Sequence, residues 1–109
     1  MEILIDKDWG SSCFWMRIPC GGWGNAKASQ FILTPELQDR CEYLSEWFEM
    51  YDPATDAPTP DWEAYSAYKK ALAIDIKRYY GNDARIFIRN GDEFLEITGI
   101  PSAMFRHAT

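Results

Sequence analysis

The chain has 109 residues, 47% of them hydrophobic and 16% aromatic, which is material for one packed domain over residues 1–109 and argues against wholesale disorder. Its net charge of −6 sets it against direct binding of nucleic acid or an anionic membrane, since both need a basic footprint. No apolar run reaches the roughly 20 residues of a membrane-spanning helix, and the opening Met1–Asp6 lacks the basic and apolar regions of an export signal.

In chain order, the Ile3/Ile5 alternation over Met1–Asp6 predicts a short strand, and the β-favouring run Cys13–Ile18 predicts a second, ended by Pro19 and the Gly21-Gly22 pair. Trp23–Ser29 reads as loop, with Trp23 pinning it to the body, and Gln30–Leu33 as a brief extended piece. The first helix starts with Thr34 as N-cap and Pro35 at the first helical position, where a missing N–H costs nothing. Leu37, Cys41, Leu44, Phe48 and Tyr51 then recur at spacings of four and three, one apolar helical face. The Pro-rich stretch Asp52–Thr59 ends it. Thr59-Pro60 repeats the start signal, and Tyr65, Tyr68, Leu72, Ile76 and Tyr79 mark the buried face of a second helix. Lys77 and Arg78 lie in its last turn, and Gly81 lies just beyond. Asn90-Gly91 predicts a type I′ hairpin in which Arg89 faces Asp92, Phe87 faces Phe94 and Arg85 faces Glu96. The fold expected is α+β, an antiparallel sheet of about four to five strands with two amphipathic helices packed on one face.

The charge is not spread evenly. Between Glu36 and Glu63 stand nine carboxylates and one base, Arg40, so the negative field is local. At 100° per residue, Asp39, Glu42, Glu46 and Glu49 fall within roughly an 80° arc opposite the apolar face of the first helix. The second helix obeys dipole logic, acid first and base last. The first does not, because Glu46 and Glu49 sit near its negative end. Tyr43 and Trp47 border the acids, and exposed rings beside charge are the material of protein–protein hot spots.

Catalysis finds little support. The only histidine, His107, stands close to the last residue, and no GxSxG elbow or Walker loop is present. The clustered acids lie on a helix exterior rather than around a pocket, which predicts neither a general acid–base pair nor a metal site; no cofactor is implied. Cys13, Cys20 and Cys41 show no CxxC spacing and fit reduced thiols in a cytoplasmic protein.

Leu33-Thr-Pro-Glu-Leu37, then Leu44, Trp47, Tyr51-Asp52, a Pro-containing linker and Ile76-Lys-Arg-Tyr-Tyr-Gly81 ahead of a strand resemble the small immunity proteins of bacterial polymorphic-toxin and contact-dependent growth inhibition systems. The resemblance spans roughly residues 30 to 90. It implies a non-catalytic cytoplasmic inhibitor that binds a cognate toxin, commonly a basic nuclease domain, and blocks its active site or an exosite. Opposite fields would also speed capture of such a partner. The contact surface is accordingly expected on the exposed side of the first helix and the linker after it: Asp39, Glu42, Tyr43, Glu46, Trp47, Glu49, Asp52 and Asp56. A phage-type DNA mimic that sequesters a DNA-binding or restriction protein is the alternative. It would use the same acids but needs a longer track of them, spaced like duplex phosphates.

Overall fold

A computed structural model of the chain describes residues 1–7, 11–31, 34–50 and 59–99. The order of elements is β1 (Glu2–Ile5), β2 (Phe14–Arg17), β3 (Trp23–Ala26), α1 (Pro35–Glu49), α2 (Trp62–Tyr80), β4 (Arg85–Asn90) and β5 (Glu93–Glu96), with 3₁₀ turns at Ala28–Gln30 and Gly81–Asp83. Two helices pack against a five-stranded sheet of order β3-β2-β1-β4-β5, an α+β fold.

The sheet is mixed rather than wholly antiparallel. β1 pairs with β2 antiparallel (Ile3 opposite Met16, Ile5 opposite Phe14) and with β4 parallel (Ile3 opposite Ile86, Ile5 opposite Ile88). The physical reason is the helical pair. After β3 the chain runs through α1 and α2 and returns beside the end where β1 began, as the bond from the Arg85 N–H to the Met1 carbonyl (2.8 Å) records. A parallel neighbour needs such a crossover, and here two helices supply it.

Alternation decides which side chains meet the helices. Ile3, Ile5, Phe14, Ile86, Ile88 and Ile97 form the sheet's half of the core. Leu37, Cys41 and Leu44 of α1 and Tyr65, Leu72, Ala73, Ile76 and Tyr80 of α2 complete it. Each large aliphatic side chain buried there contributes about 1.5–3 kcal/mol. On the α2 face Tyr80 rather than Tyr79 is the deeply buried ring, and its hydroxyl donates to the Phe31 carbonyl at 2.6 Å. The N-cap of α2 is Asp61 rather than Thr59; its carboxylate accepts from the Ala64 N–H at 3.0 Å.

Three local expectations are corrected. Trp23–Ala26 is a strand, not a loop, because the turn closed by Gly21 and Gly22, both at positive φ, folds it back on β2 with Arg17 opposite Trp23. The stretch Ala28–Gln30 is a 3₁₀ turn, so the extended piece expected from Gln30 does not begin there; Ile32 and Leu33 lie outside the described residues. The hairpin loop is Gly91-Asp92, with Asn90 opposite Glu93 and Phe87 opposite Glu96. Gly91 has φ +64° and no non-glycine residue among those described has positive φ, which is the type II′ pattern. This register is two residues away from the expected one, so every side chain keeps its face.

The face away from the helices is partly covered as well. The Trp23 ring lies 5.7 Å from Phe87 and 6.1 Å from Phe94, although β3 is three and four strands from β4 and β5 in sheet order. Flat strands at about 4.8 Å spacing would hold those rings more than roughly 14 Å apart. The sheet therefore curls over its outer face, which explains why Leu4 and Phe87 are buried there. Arg17 stacks 4.1 Å over Trp23, and Arg85 bonds both Glu96 and Glu2, holding the Glu96 carboxyl below its usual range. These exposed pairs add little stability.

Candidate protein-binding face on the first helix

Seating Leu37, Cys41 and Leu44 against the sheet turns Asp39, Glu42 and Glu46 outward, and all three are exposed. At 1.5 Å per residue the line from Asp39 to Glu49 is about 15 Å long. Among the described residues none of Asp39, Glu42 and Glu46 is ion-paired to a lysine or arginine of the chain. The one base inside the acidic run is turned away. Arg40 reaches across to α2 and bonds Asp75 at 2.6 Å, and Asp75 also accepts from Arg78. The row of carboxylates thus keeps its full field.

Tyr43 stands beside that row with 54% of its surface exposed, and Met50 at the end of α1 is 80% exposed. Trp47 belongs elsewhere. Its ring meets Tyr65 at 5.5 Å and Tyr43 and Tyr68 at 6.0 Å, so it is half-buried in the seam between α1 and α2. The Tyr65 ring at the bottom of this seam is buried, and its hydroxyl has no hydrogen-bond partner among the described residues. Burial pushes that phenol's pKa up. Tyr65→Phe removes an unsatisfied polar atom and keeps the ring, so it is expected to leave stability unchanged or raise it by up to about 1 kcal/mol in urea denaturation.

Glu49 does not belong to the free row either. Its carboxylate accepts from the Lys7 ammonium at 2.6 Å, and the Lys7 side chain, 1% exposed, also donates to the Ser11 carbonyl. Lys7 sits below the Phe48 ring, 5.7 Å from its centroid. This pairing explains the acid at the negative end of α1: the helix has no base in its own last turn, and Lys7, just beyond β1, brings one there. Asp52 and Asp56 lie outside the described residues. Of the eight residues named from the sequence, four form the exposed face (Asp39, Glu42, Tyr43 and Glu46), while Trp47 and Glu49 face neighbours within the fold.

Sequence reading passed over a cleft beside this face. It measures about 490 Å³ and lies between α1, the start of β2 and the 3₁₀ turn, with Ser11, Ser12, Cys13, Lys27, Cys41 and Glu42 among its lining residues. Glu42 is shared between the cleft and the acidic row. Ser12 ties the wall together, accepting from Asn25 Nδ2 at 3.1 Å and donating to the Ala26 carbonyl. Among the described residues no three His, Cys, Asp or Glu side chains come together as a metal site, and no helix is long and apolar enough to cross a membrane.

Compared with family models, with curated proteins and with solved structures, the chain matches none.

Proposed function

We propose that this protein is a stoichiometric inhibitor of a toxin, an immunity protein that docks a basic partner, a nuclease domain by its chemistry, on the outer face of α1. The observation that carries the reading is the row Asp39, Glu42 and Glu46, exposed and, among the described residues, without a counter-charge, Arg40 being committed to Asp75. Carboxylates kept unpaired at the cost of mutual repulsion favour a cationic partner and a fast, steered encounter. Tyr43, beside them, supplies the ring that desolvates on contact. A surface that must bind phosphate is basic, and this row offers it carboxylates instead. The same row, at about 10 Å from Asp39 to Glu46, is short for a mimic of duplex DNA, which favours a single dedicated partner. The protein would act in the cytoplasm, where such a toxin does its damage.

The test is a titration against the toxin domain encoded beside this gene. Reversing Glu42 and Glu46 to lysine together is expected to slow association at least about tenfold at low salt and to flatten its salt dependence, with an unchanged circular dichroism spectrum. Association at the wild-type rate would remove this face from consideration. Failure of the wild-type protein to bind or protect against that domain would remove the immunity reading itself.

A further inference from the structure

Cys13 and Cys41 are 28 residues apart in sequence and meet in the fold. Cys13 immediately precedes β2, Cys41 lies mid-way along the buried face of α1, and both line the same cleft. The Cys13 thiol donates to the Cys41 carbonyl oxygen at 3.4 Å. Both are buried, 1% and 4% exposed, while the third thiol, Cys20, is exposed on the β2–β3 turn. The contact of one sulfur with its partner's backbone makes the two residues direct neighbours where α1 packs on the sheet, the proximity that a disulfide requires.

We propose that Cys13 and Cys41 are a reversible thiol–disulfide pair, oxidised by a small peroxide that enters through the cleft. Cys13 reacts first. Its sulfur attacks the peroxide O–O bond, hydroxide leaves and takes up a proton, and Cys13 becomes a sulfenic acid. The Cys41 sulfur then attacks the Cys13 sulfur, the S–O bond breaks, and a second water carries off the Cys41 proton. Two thiols and one peroxide thus give one disulfide and two waters; a small dithiol reverses it. The order agrees with the surroundings of the two groups. Hydrogen bonds from Cys41 and Ser45 and the nearby Lys7 charge lower the Cys13 pKa against the opposing effect of burial, whereas the bond to Cys13 and burial raise that of Cys41. The product would staple the inner face of α1 to the sheet and fix the helix that carries the acidic row. The inference is independent of what that row binds.

The experiment uses the full chain with Cys20→Ser, which leaves only the pair. Peroxide is expected to give a monomer lighter by two hydrogens, with no free thiol after denaturation and with peptides of Cys13 and Cys41 joined. Its Tm should rise by several degrees, and dithiothreitol should undo both changes. With Cys41→Ser added, dimedone should capture a sulfenic acid on Cys13; with Cys13→Ser instead, Cys41 should stay unlabelled. Free thiols that persist in the Cys20→Ser protein, or disulfides formed only between molecules, would overturn the pair. Dimedone capture on Cys41 but not on Cys13 would overturn the order of attack.

Discussion

Glu49→Ala is expected to lower the stability of the fold by about 2–4 kcal/mol, whereas Lys7→Met should cost less than about 1.5 kcal/mol. The asymmetry follows from where the two charges sit. The Lys7 side chain is 1% exposed and Glu49 is 38% exposed, so deleting the carboxylate takes from a buried ammonium an opposite charge bonded to it at 2.6 Å. Deleting the ammonium instead leaves a carboxylate that water reaches, and methionine refills most of the lysine's volume against Phe48. Urea midpoints at constant m-value measure both. Equal losses, or the reverse order, would mean that the pair is not what holds the end of α1 to the segment after β1. With the expected order, any loss of partner binding in Glu49→Ala is read through the helix end rather than as a lost contact.

This pair also marks where sequence reading stopped. Both helices were legible because their signals are local: Pro35 at the start of α1, Thr59-Pro60 two residues ahead of the true cap Asp61 of α2, apolar residues at spacings of three and four, and Gly81 at the end with φ +60°. Lys7 and Glu49 are 42 positions apart, so a charge count along the chain sees an excess of acid and not its partner. The β1–β4 pairing is invisible for the same reason; nothing in Ile3 or Ile86 encodes which neighbour lies alongside, or in which direction. The hairpin shows a subtler limit. Asn90-Gly91 and Gly91-Asp92 are both good two-residue loops, and a slip of two leaves the apolar pattern intact, so periodicity could not choose between them. In β3 the glycine that suggested a loop serves the strand: a Cβ on Gly24 would come within 2.9 Å of the Ile18 side chain and force it to shift. The acidic row was visible because helical rotation alone determines it. Its division into Asp39, Glu42 and Glu46 facing out and Glu49 turned to Lys7 required the fold.

Two aromatic residues four positions apart on α1 should separate binding from folding. Trp47→Ala is expected to cost about 2–3 kcal/mol of stability, since it empties the seam where Tyr43, Tyr65 and Tyr68 meet that ring and leaves a gap that the helices close only in part. Tyr43→Ala should cost under about 1 kcal/mol, because more than half of Tyr43 is already in water and its contacts with Trp47 and Tyr68 are at the rim of the seam. The order should invert against the partner. On the proposed reading Tyr43 is the ring that loses water when the basic protein docks, and its removal should raise Kd by a factor of about 30 or more, the 2 kcal/mol of a hot-spot residue. Trp47→Phe, which keeps an aromatic ring in the seam, should restore most of the stability lost in Trp47→Ala and leave Kd within about threefold of wild type. A Tyr43→Ala protein that binds as tightly as wild type would strip the acidic row of its anchor. The carboxylates would then contribute to the rate of encounter alone, and the surface that holds the partner would have to lie off α1.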